Sequence, residues 1–267
     1  MTNDRSDRSA PQPGPLDSVD VSDNTTYDTA FPIVGVGASA GGLEAFTQLL
    51  NALPVDTGMA FVLIQHLAPT HASALAEILS RTTQMPVMEV HDEPAVKPNH
   101  VYVIPPGRSM VISEGTLHLL PREGPGLHRP VDQFLRSLAE DRRHRAIGVV
   151  LSGTASDGTL GLESVKAEGG ITFAQDATAQ QPGMPHSAIA SGCVDFVLSP
   201  ADIARELTRI SRHPYAAPQR ETSEAAEPDL TRIMQLLRHD TGVDFTDYKF
   251  NTLYRRVTRR MVLRKMN

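Results

Sequence analysis

Six short, nearly continuous apolar runs, at 32–36, 59–65, 101–104, 146–151, 171–174 and 195–198, constrain this chain more than any other feature. A strand with one wet face alternates apolar and polar residues. A strand buried on both faces need not, and parallel strands between two helical layers are of that kind. The stretches between the runs, at 43–53, 73–82, 131–143, 160–170 and 202–212, repeat their apolar residues at helical spacing. Residues 108–120 differ: two alternating runs flank Glu114-Gly115, which signals a hairpin. The expectation is an α/β fold, a doubly wound and mostly parallel sheet with an inserted antiparallel hairpin, plus a short helical segment at the C-terminus.

The ends read differently from the middle. Residues 1–30 carry Asp4, Asp7, Asp17, Asp20, Asp23 and Asp28 against Arg5 and Arg8, and are expected to be a disordered acidic segment. The α/β domain is expected over 31–213, and the Pro-rich, charged stretch 214–228 as a linker. Residues 229–267 then read as the start of a second, helical domain: an amphipathic helix at 230–242 with its Gly as C-cap, and a basic helix to the end. The formal charge of −6 argues against nucleic acid as partner. No apolar run of about 18 residues occurs, so no membrane insertion is expected. With Cys193 alone, no internal disulfide can form, which fits a reducing cytoplasm. Cys193 itself reads as a buried structural thiol.

Chemistry enters at residues 33–42, IVGVGASAGG, where an apolar strand meets four glycines and one serine. Gly35-Val36-Gly37-Ala38-Ser39-Ala40 fits a dinucleotide-binding turn, and Gly37-Ala38-Ser39-Ala40-Gly41 fits the Gly-x-Ser-x-Gly turn of hydrolases. A dinucleotide site needs an acid at the end of the second strand to bind ribose hydroxyls. That strand ends Ile64-Gln65-His66-Leu67-Ala68, without one. No Gly-Lys-Ser/Thr follows the turn either, which excludes a phosphate-binding P-loop. Hydrolase chemistry is favoured, with no cofactor and no metal.

In an open parallel sheet, functional groups gather beyond the carboxyl ends of the strands. Ser39 follows the first strand, His66 the second, and Asp157 the run AIGVVL. A serine hydroxyl needs a base to take its proton, and the base needs a carboxylate to fix its tautomer. Ser39, His66 and Asp157 suit those roles. Each has a plainer alternative: Ser39 and Asp157 as helix N-caps, His66 as a hydrogen-bonded structural group. Asp176 competes for the carboxylate role and His186 for the base, and spacing alone leaves these ties open.

The stretches VGASAGGLEA (36–45), VLIQHL (62–67), HRPVDQFLRSLA (128–139), GVVLSGTASDGTLGL (148–162) and FAQDATAQQPGMPHSAIASG (173–192) resemble the catalytic domain of the chemotaxis protein-glutamate methylesterase, CheB. The resemblance covers roughly 31 to 213. It implies an esterase that hydrolyses glutamyl methyl esters on chemoreceptors, releases methanol and can deamidate receptor glutamines. It puts the family triad on Ser39, His66 and Asp157, and the oxyanion donors on the backbone N–H groups of Ala40 and Thr154. Two positions depart from the family pattern, Ala40 where Thr is frequent and Thr154 where Met is common. TGVDFTDYKFNTLYRRVTRRM (241–261) resembles the start of the helical N-terminal domain of the chemotaxis methyltransferase, CheR. The implied partners are methylated chemoreceptor helices and the remainder of a methylesterase–methyltransferase fusion. The family's usual receiver domain does not fit in 30 polar residues, so the expectation is an esterase that needs no phosphoryl donor. The alternative reading is a non-catalytic interaction module of a larger signalling protein.

Overall fold

Strand β1 (Ile33–Ala38) lies at the centre of a seven-stranded sheet and is buried along its whole length. The protein is described here from a computed structural model, over residues 31–65, 74–121, 128–216, 219–243 and 250–266. Beside β1 run β2 (Ala60–Gln65), β3 (Val87–Glu89) and β4 (Val101–Val103). The hairpin strands β5 (Arg108–Ser113) and β6 (Thr116–Pro121) come next in the chain, followed by β7 (Ala146–Val150), β8 (Ile171–Gln175) and β9 (Phe196–Leu198). The sheet order is β3-β4-β2-β1-β7-β8-β9 with every neighbouring pair parallel, while β5 and β6 pair antiparallel apart from it. The expected doubly wound sheet and hairpin are both present.

Alternate residues of each central strand serve opposite cores, which is why the runs are continuously apolar. Val34, Val36 and Ala38 of β1, with Phe61, Leu63, Ile147 and Val149, pack under helices α1 (Gly42–Ala52), α2 (Leu75–Ser80) and α6 (Pro200–Ser211). Ile33, Val62, Ile64 and Val150 face the other layer, made by the hairpin and helices α3 (Pro130–Arg142), α4 (Thr159–Ala167) and α5 (Gly183–Ala190). Cys193 is buried in that second core, and burial pushes its thiol pKa up, so it is the structural residue expected.

Gly35 and Gly37 lie inside β1, not in the turn after it. Both sit under α3, where a Cβ at Gly35 would stand 2.7 Å from Leu135 Cδ2 and one at Gly37 only 2.1 Å from Val131 Cγ1. Their role is to let a helix approach the sheet. Gly37→Ala is expected to destabilise the fold by about 1–3 kcal/mol, because β-branched Val131 is rooted in buried helix and cannot swing away. Denaturant unfolding checks this, and an unchanged midpoint would mean that α3 shifts freely.

The C-terminal part departs from expectation. Helix α7 (Gln219–Thr241) runs through most of the stretch read as a linker; its sequence there, QRETSEAAEP, is rich in helix formers despite Pro228. Gly242 ends it at φ 71, the C-cap expected. Helix α8 (Phe250–Leu263) packs on the α/β unit at the amino ends of β8 and β9. Val262 is wholly buried in the α1–α6 core. Arg259 donates to Gly170 O at 3.0 Å and pairs with the buried Asp195 at 2.7 Å. Arg209 donates to Val262 O at 2.7 Å, a cation at a helix C-terminus. Among the described residues, no helix is long and apolar enough to cross a membrane.

His213 is placed to couple this docking to pH. It is buried, its Nδ1 accepts from Tyr215 N at 3.1 Å, and its Nε2 faces Met266 O at 3.2 Å. Both contacts are satisfied by a neutral ring protonated on Nε2. Burial above all lowers its pKa from the ordinary histidine value; the Met266 carbonyl opposes that and Arg209 reinforces it. A folded pKa below the unfolded value gives stability that is complete above about pH 6.5 and lost as pH falls through the folded value. Protection of α8 amides from hydrogen exchange should therefore fall as pH drops below about 6.5. His213→Gln should remove that dependence, and equal protection above and below that pH would refute it.

Candidate active site

Strand order reverses at β1, with β2 on one side and β7 on the other, and such a switch point leaves a crevice beyond the carboxyl ends. Ala38, the last residue of β1, is level with Gln65, the last of β2, and Gly37 is level with Val150, the last of β7. Ser39 leaves β1 at this level, and the turn at 151–158 leaves β7 beside it.

The two turns are stitched together by Ser152. Its carbonyl accepts from Ser39 N at 2.9 Å, and its Oγ donates to Ala40 O at 2.8 Å while accepting from Gln181 N at 2.9 Å. Its own N–H donates to Oε1 of the buried Gln175 at 2.9 Å. The Ser39 main chain is thereby fixed, and its carbonyl accepts from Gly42 N at 2.9 Å. Its half-buried side chain is left out: among the described residues, Ser39 Oγ makes no hydrogen bond. Nor does Ser39 cap α1, whose N-cap is Gly41. Gly41 is needed twice over, for its left-handed φ of 76 and because a Cβ there would lie 2.6 Å from Ser152 Oγ.

Gly153 faces the serine. A Cβ on it would come within 3.0 Å of Ser39 Cβ and 2.1 Å of Met184 Sδ, so the buried Met184 forms the floor of this corner. N–H groups beside the serine are left over as well. Ser39 N and Gly153 N are both bonded, but among the described residues Ala40 N and Thr154 N donate to nothing. Both residues are exposed at the mouth of the corner. The turn continues through Ala155, whose φ of 62 costs a residue with a Cβ about 1 kcal/mol or more.

Asp157 is buried. Its Oδ2 accepts from Val131 N at 3.0 Å, and its Oδ1 accepts from Asp132 N at 2.9 Å and from Gly158 N at 2.9 Å. The capping alternative fails for the helix that follows, since the N-cap of α4 is Gly158; Asp157 instead accepts from the N-terminal N–H groups of α3, more than twenty residues earlier. Asp176 lies farther along the sheet, at the end of β8, where its Oδ1 accepts from Thr178 N at 3.0 Å and Thr178 Oγ1 at 2.6 Å in a partly exposed turn. His186 is exposed on α5. His66 and the segment 1–30 lie outside the described residues. The chain direction at Gln65 still carries β2 to the level of the Ser39 turn.

Ser152, Gln175 and Asp132 were not singled out in the sequence. For Ser152 and Gln175 a signal existed, since each is a polar residue at the carboxyl end of an apolar strand beside the switch point. Asp132 had none, because an acid in a helix's first turn is ordinary.

The CheB methylesterase family model matches residues 34–207, and that of the CheR methyltransferase all-alpha domain matches 228–267. A protein-glutamate methylesterase/protein-glutamine glutaminase of Photorhabdus laumondii subsp. laumondii is 38% identical over 186 residues, 67% of this chain and 53% of that protein. One of Anaeromyxobacter dehalogenans is 39% identical over 195 residues, covering 71% of this chain and 54% of its own length. An uncharacterized 104.1 kDa protein from the hypE 3′ region of Rhodobacter capsulatus is 37% identical over 216 residues, 72% of this chain and 23% of that protein. The chain thus spans about half the length of these methylesterase relatives. The crystal structure of the Thermotoga maritima CheB methylesterase catalytic domain superimposes with a TM-score of 0.63 at 32% identity, covering 67% of this chain and 98% of that one.

Proposed function

The chain belongs to the CheB methylesterase family, and from that premise we propose that its α/β unit, residues 31–213, is a serine esterase that demethylates glutamyl methyl esters on chemoreceptors. Ser39 Oγ attacks the ester carbonyl as His66 takes its proton. The N–H groups of Ala40 and Thr154 hold the oxyanion of the tetrahedral intermediate. His66 then gives the proton to the departing methanol, leaving an acyl-enzyme. Water, deprotonated by the same histidine, attacks the acyl group and releases the glutamate side chain. Asp157 orients His66 and stabilises its cation. With a glutamine side chain the same steps release ammonia, which is the deamidation named for the curated relatives.

One observation carries this reading: Ser39 is flanked by the N–H groups of Ala40 and Thr154, which bond to nothing among the described residues, while its own N–H and that of Gly153 are engaged. An unpaired pair of donors beside an unengaged hydroxyl suits a tetrahedral oxyanion. The departures at Ala40 and Thr154 change side chains and leave both backbone donors in place. The proposed partners are methylated receptor helices and, through residues 229–267, the continuation of a CheR-type helical domain. The test is methanol release from a methylated chemoreceptor fragment by the purified chain, with ammonia release from the glutamine form measured beside it. No methanol would leave the non-catalytic alternative in place.

A further inference from the structure

One buried charge beside the site has no part in the steps above. Asp132, in the first turn of α3, is 3% exposed. Its Oδ1 accepts from Gly161 N of α4 at 2.9 Å, and its Oδ2 lies 3.3 Å from Arg129 Nη1. Asp157, in the turn that opens α4, reaches back to the N–H groups of Val131 and Asp132 in α3. The two helices thus exchange caps: the acid of α3 holds the N-terminus of α4, and the acid before α4 holds the N-terminus of α3. Each acceptor is favoured there by the positive end of the helix dipole. The exchange requires close helices, and a Cβ on Gly161 would stand 2.5 Å from Leu135 Cβ and 3.2 Å from the Asp132 Cα.

Two carboxylates so close repel one another. Burial chiefly, and Asp157 in addition, raise the Asp132 pKa, while the Gly161 N–H and Arg129 work against that. Arg129 and Asp157 are the charged groups that face Asp132; α4 offers it only backbone N–H.

We propose that Asp132 is a positioning residue, which fixes the Asp157 carboxylate by tying the first turn of α4 to the first turn of α3, with Arg129 offsetting the second charge. This rests on the role given above to Asp157. A carboxylate that must orient an imidazole needs its place held to a fraction of an ångström. The cross-tie closes a ring, so losing the Gly161 contact loosens Asp157 without removing any of its own partners.

The experiment compares Asp132→Ala, Asp132→Asn and Asp132→Glu by kcat and KM for methanol release, and by the rate at which a fluorophosphonate labels Ser39. Asn keeps an oxygen at the same reach without the charge, whereas Glu keeps the charge and moves the oxygen by a methylene. The Ala and Glu variants are expected to lose about 10²-fold in kcat and in labelling rate with KM within about twofold, and Asn to recover most of the loss. Placed in an Asp157→Ala background, Asp132→Ala should cost less than about threefold more labelling, since a residue acting through another adds little once the other is gone. Hydrogen exchange should show Val131 and Gly161 amides losing protection together in the Ala variant. Equal loss for Asn and Ala, a loss confined to KM, or full additivity with Asp157→Ala would overturn the proposal. If the Ala variant does not fold, the contrast of Asn with Glu decides, and activity retained by Glu but lost by Asn would overturn it. A wild-type chain that fluorophosphonate does not label, and that releases no methanol, would instead refute the esterase reading.

Discussion

Ser39→Ala is expected to lower kcat for methyl-ester hydrolysis by about 10⁶-fold and to leave the unfolding midpoint unchanged. The two halves of this expectation have separate physical sources. Every hydrogen bond that Ser39 makes among the described residues uses its main chain, to Ser152 O and from Gly42 N, and alanine keeps both. Its Oγ is bonded to nothing there, so no buried partner is stranded by its removal. The hydroxyl is nevertheless the group proposed to form the acyl bond. Stability is read by denaturant titration and activity by methanol release, with loss of fluorophosphonate labelling as a third readout. A variant that turns over at near-normal rate would end the assignment of Ser39 as nucleophile.

Asp157→Asn should cost about 10⁴-fold in kcat, because an amide presents an N–H to the histidine and favours the wrong tautomer. The geometry adds a second effect. The Asp157 oxygens accept from three backbone N–H groups, and an Asn Nδ2 at either oxygen position would set donor against donor. At least one N–H of α3 or Gly158 is then unpaired in a buried site, for about 1–3 kcal/mol of stability. Asp176→Asn should do neither. Its Oδ1 accepts from Thr178 in a partly exposed turn, and asparagine makes the same turn with its own carbonyl oxygen. The paired measurement is kcat and unfolding midpoint for both variants. If Asp176→Asn is the more damaging to kcat, the orienting role passes to Asp176.

The central strands were legible because burial on both faces writes itself as uninterrupted Val, Ile, Leu and Phe. β3 was not, since Val87–Glu89 is a three-residue edge strand whose outward Met88 and half-buried ends look like loop. Helix α5 hides because GMPHSAIA opens with glycine and carries Pro185 in its first turn, where a proline costs little. The first half of α7 is concealed for the opposite reason: Pro228 stands in the helix interior, where local pattern calls for a break. Gly35 and Gly37 misled in a more instructive way. A glycine-rich strand end suggests a ligand, yet these two answer to Val131 and Leu135, residues about a hundred positions away that local pattern cannot see. The cross-caps at Asp132 and Asp157 are invisible for that reason as well: each acid looks like the cap of its own helix, and only the packing of α3 on α4 reveals the exchange.

The seam between Ser39 and Ser152 also has a consequence in time. Ala40 and Ser152 are 112 positions apart, and the strand that leads into Ser152, β7, is the one that pairs with the far side of β1. At about 5–20 residues per second of synthesis, β1 leaves the ribosome roughly 6–22 s before its second neighbour exists. Until then, one long edge of an apolar strand stays open, and the Ser39 N–H and the Ala40 carbonyl lack the partners that Ser152 gives them. Nascent chains arrested anywhere before about residue 150 should carry the nucleophile and show no reactivity. They are also the form of this protein most exposed to edge-to-edge association. On the esterase reading, the site should therefore form only after β7 has been made and the sheet has closed around β1.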